Sequence, residues 1–278
     1  MTQNLQQGQE GLVQIFSDPK QAFTLLSILG LVLLFSAIFL RHLARTWLKS
    51  SSWQSVHWPM SLVFAGIALY GFLQIIFGSA ILSLSWIQDS YMAKLIVYWL
   101  SNGTWSIAII ICMARLSGNI QVLGIRWLSW KQALAAILSY VAFFPWYWAA
   151  YFITQICFYI FAIPIQAQEI AQEFISSQGW TTYLAIATIV VIAPASEELV
   201  FRVFFYTALR NHFGPTKALL ITSAIFALVH GNSFVFLPIF ALGLCLNLLY
   251  EQTQCIWVPI LVHSIHNSLT LGYLLLLP

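Results

Sequence analysis

The sequence predicts an all-α membrane protein, a polytopic bundle of about eight transmembrane helices, and three observations carry that expectation. Of its 278 residues 60% are hydrophobic and 7% are charged, too little polar surface to cover a soluble core of this size. Apolar runs long enough to cross a ~30 Å hydrocarbon layer recur along the chain. The few basic residues collect between those runs, as they do in connections that face the cytoplasm.

Span one covers about 22–40 and is stopped by Arg41, His42, Arg45 and Lys49, with Trp47 and Trp53 at an interface. Span two covers about 59–84 and is bounded by Trp86, Asp89 and Lys94. Span three covers about 95–113, with Arg115, Arg126 and Lys131 beyond it, and the segment 119–130 is read as lying along the surface. Span four takes much of 133–165, too long for one untilted helix, with Pro145 as a kink and Pro164 as an end. The polar stretch 166–178, with Glu169 and Glu173, reads as an interfacial helix or loop.

Span five, about 180–193, delivers Glu197 and Glu198 into an amphipathic continuation that carries Arg202 and Arg210. Spans six, seven and eight cover about 218–229, 234–250 and 256–277. Basic connections follow spans one, three and five, which puts both termini outside and the two glutamates near the cytoplasmic leaflet. The first twenty residues include Glu10 and Asp18 and no basic leader, so an uncleaved tail is expected ahead of span one. One integral membrane domain, 1–278, is expected, in a bacterial plasma membrane.

Composition also excludes. There is no basic patch with interleaved aromatics, so nucleic acid is not a partner; the lipid bilayer is. Cys112, Cys157, Cys245 and Cys255 are scattered without metal-knuckle or redox spacing and read as small hydrophobes.

Against this apolar background three spaced motifs stand out: Glu197-Glu198-x-x-x-Arg202, Phe226-x-x-x-His230 and His263-x-x-x-Asn267. Acidic groups at membrane depth are costly and face a protein interior or a wet cavity. Residues four apart share a helix face, so Glu198 pairs with Arg202, and His263 and Asn267 point together. These are groups a hydrolase needs. Glu197 takes a proton from water, the histidines hold a metal or share proton transfer, and Asn267 donates to an oxyanion. Glu197, His230 and His263 are also three of the four ligands of a catalytic zinc. Spacing alone leaves metal-activated and glutamate-activated water both open. A structural Glu–Arg tie, an ion- or proton-coupled carrier, and a non-enzymatic transporter, bacteriocin-immunity protein or scaffold also remain as alternatives. His266 faces the same cavity or merely adjoins it. His42, His57 and His212 lie near span ends, and Glu251 and Asn247 read as helix ties.

In order and spacing, with Pro194 just ahead of the glutamates, these motifs resemble those of the CAAX-processing and bacteriocin-processing protease family, integral membrane enzymes similar to the type II CAAX prenyl protease. The resemblance covers about 180–275 and implies a catalytic core there that cleaves a membrane-associated peptide or protein. It implies that Glu197 is the catalytic glutamate and His230 the water-activating histidine. It also implies that His263 and Asn267 bind metal or stabilise the oxyanion, with Glu198 and Arg202 in support. Gln254 departs from the pattern, standing where the family commonly has glycine.

Overall fold

The computed structural model describes residues 19–46, 58–83, 91–118, 121, 124–165 and 169–276. The N-terminal tail and the boundary residues read at 47, 49, 53, 57, 86 and 89 lie outside these. The chain runs α1 (Pro19–Thr46), α2 (Met60–Leu82), α3 (Tyr91–Ser117), α4 (Trp130–Ile160), α5 (Glu169–Ser176), α6 (Trp180–Phe213), α7 (Pro215–Leu228), α8 (Phe236–Thr253) and α9 (Trp257–Leu276).

Among the described residues six helices, α1 to α4, α6 and α8, are long and apolar enough to cross a membrane. Six of the about eight expected spans meet that measure, and the other two fall short of it for different physical reasons. Helix α7 has 14 residues, about 21 Å at 1.5 Å per residue, shorter than a hydrocarbon core. Helix α9 has 20 residues but carries His263, Ser264, His266, Asn267, Ser268 and Thr270.

Helix α6 is the axis of the bundle. Every residue from 200 to 209 is buried, and this stretch packs against Trp58 and Val63, against Trp105, Ile109 and Met113 of α3, and against Phe226 of α7. Helices α1 and α2 lie outside, with Phe23, Phe35, Phe64, Phe72 and Ile75 all exposed, as lipid-facing surfaces are. A polar contact ties α1 to α4: buried Ser36 accepts from Trp146 Nε1 at 2.8 Å.

Helix α4 is continuous through Pro145 over 31 residues, about 46 Å of rise, so it crosses tilted or projects beyond the bilayer. A capping box starts it, in which Ser129 Oγ accepts from Gln132 N and Gln132 Oε1 accepts from Ser129 N. It ends at Ile160, ahead of Pro164. Before it, Trp127 and Trp130 are exposed at 99% and 69%.

Small residues set the α7–α8 spacing. A Cβ at Gly243 would stand 3.1 Å from the Ser223 Cα, and Asn247 Nδ2 donates to Ser223 Oγ at 2.9 Å. Asn247 is thus the interhelical tie the sequence suggests. Glu251 is another: it accepts from Arg210 Nε and Nη2 at 2.7 Å each and from Tyr206 at 2.8 Å, joining α8 to α6.

Helix α8 ends on Gln254 at φ 47°, ψ 38°, the left-handed position that glycine fills at least cost. That conformation explains why glycine suits this site, and here Gln254 keeps the same turn. Gly124 (φ 74°) lies against it, its amide plane close enough that a Cβ would meet Gln254 O at 3.0 Å. Ile256 N donates to Gly124 O at 3.0 Å, and Arg126 Nη2 donates to Thr253 O. The α3–α4 connection therefore clasps the turn from which α9 starts. Pro259, third in α9, falls where backbone N–H groups lack partners anyway.

Candidate active site

Helix α6 is α-helical only in part. A π-helical turn over Thr188–Ile192 precedes the six-residue α segment Ala193–Glu198, and a second π segment runs over Leu199–Tyr206. Pro194 supplies the local cause of the first. A proline ring inside an α-helix clashes with the carbonyl four residues back, and a widened π turn relieves that contact. Wide turns re-aim the side chains beside them, and here those side chains are Glu197 and Glu198.

Glu198 is fully buried. Its Oε1 accepts from Arg202 Nη1 at 2.9 Å and from His263 Nδ1 at 2.8 Å. Arg202 is also fully buried, and its guanidinium carbon lies 4.7 Å from the Phe226 ring centroid, a buried cation–π contact. The i,i+4 pairing of Glu198 with Arg202 is the one the sequence predicts. With Nδ1 donating to an ionised carboxylate, His263 presents Nε2 as its lone-pair nitrogen.

That Nε2 faces Glu197, 3.9 Å from Oε2. Glu197 is the accessible carboxylate of the two, with 24% of its side chain exposed against 0% for Glu198. Its Oε2 accepts from no protein donor among the described residues, and its Oε1 lies 3.5 Å from the hydroxyl of Tyr98 on α3.

His230 sits just beyond the end of α7. Its Nδ1 donates to Phe226 O at 2.7 Å, using one of the carbonyls a helix C-terminus leaves without a partner. Phe226 joins the motifs: its ring packs edge-on against His230 at 4.9 Å and against His263 at 5.8 Å between centroids. Asn267 lies one turn beyond His263 and donates its Nδ2 to Ile189 O, in the first π turn, at 2.8 Å.

His266 turns the other way. Its Nδ1 is 3.0 Å from the Tyr140 hydroxyl on α4, and the Tyr147 ring stands 4.7 Å from its own. It adjoins the carboxylate cluster and ties α9 to α4.

Among the described residues no group of three His, Cys, Asp or Glu side chains is gathered closely enough to hold a metal ion. The set Glu197, His230 and His263 does not form a ready zinc site in this arrangement, although both histidines have Nδ1 hydrogen-bonded as ligating imidazoles do.

Sequence reasoning missed two residues of α3. Besides Tyr98, Trp99 Nε1 donates to Thr188 Oγ1 at 2.7 Å, at the opening of the first π turn. Adjacent aromatics with polar tips, Tyr98-Trp99, are the signal that was available.

Residues 178–269 match the family model described as Type II CAAX prenyl endopeptidase Rce1-like. The chain is 35% identical over 95 residues to the membrane-embedded CAAX protease MroQ of Staphylococcus aureus, covering 32% of this chain and 38% of that protein. It is 31% identical over 111 residues to YdiL of Bacillus subtilis, covering 40% and 45%. It is 28% identical over 130 residues to YxdF of Lactococcus lactis, covering 44% and 72%. The matches thus span less than half the length of MroQ and of YdiL. No solved structure matches the chain significantly.

Proposed function

We propose that this integral bacterial membrane protein, whose residues 178–269 match the Rce1-like family model of type II CAAX prenyl endopeptidases, is an intramembrane endopeptidase. It hydrolyses a peptide bond of a membrane-associated protein or peptide, near the cytoplasmic leaflet, and the core 180–275 carries the chemistry. The observation that supports this best is the facing pair, Glu197 Oε2 and His263 Nε2 at 3.9 Å, with Nδ1 of the same imidazole held by Glu198. Two acceptors facing each other at that distance call for a shared donor, and a water held by both is a polarised nucleophile.

The residues then take these roles. Glu197 receives a proton as the water oxygen bonds to the carbonyl carbon, and returns it to the amine nitrogen as the C–N bond breaks. Glu198, fixed by Arg202, orients His263. His230, whose Nδ1 is held by Phe226 O, offers Nε2 as a second acceptor on the water side. Asn267 has one amide N–H on Ile189 O and one left for the carbonyl oxygen as charge develops there. Zinc at this site would take Glu197, His230 and His263 once they were drawn together, and would polarise the carbonyl as a Lewis acid.

The test uses purified protein in lipid nanodiscs with a set of membrane-anchored peptides, including farnesylated CAAX peptides, with products read by mass spectrometry before and after chelation. Product from wild type and none from Glu197→Ala is the expected result. Equal product from both overturns the mechanism, and pH-dependent ion flux without product supports a carrier. Chelator-sensitive cleavage supports zinc, whereas chelator-resistant cleavage assigns water activation to Glu197 and the histidines without a metal.

Tyr98→Phe keeps the packing and removes the hydroxyl beside Glu197. A hydrogen bond of this length contributes on the order of 1 kcal/mol, so kcat is expected to fall roughly threefold to tenfold with KM unchanged, read by steady-state cleavage.

A further inference from the structure

The orphaned carbonyl in α6 has a specific history. In the first π turn Ala193 N donates to Thr188 O, five residues back. The next bond in that register would run from residue 194 to Ile189 O, but residue 194 is proline and has no N–H. The α-register donor for Ile189 O would be Ala193 N, which is already on Thr188. Ile189 O is therefore left without a backbone partner, and the side chain that reaches it is Asn267 Nδ2 of α9, at 2.8 Å. An unpaired backbone group at membrane depth is expensive, so this contact is worth more than an ordinary surface hydrogen bond.

We propose that Pro194, Ile189 and Asn267 form a latch that sets the register of α9 against α6, with Asn267 as a positioning residue. Pro194 creates a carbonyl that only another helix can satisfy. Asn267 is the group that satisfies it, and it sits one helical turn from His263. Docking the amide on Ile189 O therefore helps bring the His263 imidazole to Glu197 and Glu198, which both lie a little over two turns beyond Ile189 on α6. On the other side of the same turn, Trp99 holds Thr188, so the latch closes on a segment that α3 already braces. The proline and the asparagine act as one device although 73 positions separate them in the chain. The kinetic part of this inference rests on the protease reading; the structural part does not.

The test is a double-mutant cycle on the full-length protein in detergent, comparing wild type, Asn267→Leu, Pro194→Ala and the double variant. Leucine fills the asparagine's space and cannot donate. Alanine at 194 restores an N–H that can bond Ile189 O within α6. Asn267→Leu alone is expected to lower the melting midpoint by about 5 °C and kcat on a cleaved peptide by roughly tenfold or more, with KM unchanged. In the Pro194→Ala background the same substitution is expected to cost less than half as much in melting midpoint. Equal losses in both backgrounds overturn the latch. Coupled melting with undiminished kcat overturns the positioning role. A wild-type protein that cleaves no peptide removes the protease reading, and the melting cycle still decides the latch. If Asn267→Leu does not accumulate, Asn267→Ser, a shorter donor, enters the same cycle under the same criteria.

Discussion

Glu197→Gln is expected to reduce cleavage at least about a thousandfold while the protein inserts, accumulates and melts as wild type does. The amide occupies the carboxylate's volume, so nothing in the packing of α6 changes. It keeps an oxygen for Tyr98 to approach, and it loses the ability to take a proton from water. General-base contributions run to about 10⁴-fold, and no neighbouring group can substitute. Glu198 is committed to Arg202 and His263 through Oε1 and is sealed from solvent. The neighbouring glutamates are therefore predicted to differ on two readouts: Glu197 changes rate alone, whereas Glu198 changes stability as well as rate. His263→Ala and His230→Ala are expected to remove cleavage as well, each by taking away an acceptor from the water side. Steady-state cleavage by purified variants, with melting midpoints measured on the same preparations, checks this. Cleavage by Glu197→Gln within tenfold of wild type would remove the carboxylate from the chemistry.

The three motifs were legible because charge is scarce in a membrane chain and polar residues there are kept only where something uses them. Spacing of four gave the Glu198–Arg202 pair directly, and the structure has it at 2.9 Å. The π segments were not legible. No residue type prefers a π turn, and Pro194 hints at a distortion without saying which carbonyl it orphans. Asn267 could be assigned a face by its spacing from His263, yet its partner, Ile189 O, is a backbone atom that no pattern of side chains announces. Tyr98 and Trp99 lay in a span without a motif, and their role depends on how α3 packs on α6. The span count was legible only in part for a related reason: runs such as 218–229 look apolar, but helices enclosed by others can be shorter than a bilayer, or carry polar residues as α9 does.

Arg202→Met should be the most damaging single change to stability. Arg202 and Glu198 are both fully buried, and removing the guanidinium leaves a carboxylate in the bundle with His263 Nδ1 as its remaining donor among the described residues. Breaking a buried pair from one side costs about 3–5 kcal/mol, because the desolvated charge that remains is uncompensated. The methionine also gives up the cation–π contact with Phe226, although it fills much of the same space. A fall of roughly 10 °C in melting midpoint follows for a chain of this size, with sharply lower accumulation in the membrane. The companion double variant, Glu198→Gln with Arg202→Met, removes both charges and is expected to regain more than half of the lost stability. It should not regain cleavage, because an amide can donate to Nδ1 as well as accept from it, so the tautomer that leaves Nε2 free towards Glu197 is no longer enforced. Recovery of stability without recovery of turnover is the outcome that separates the two duties of this pair, holding α6 to α9 and setting the imidazole. A double variant as unstable as Arg202→Met alone would mean that the guanidinium is kept for its packing, and that the charge balance at Glu198 contributes little.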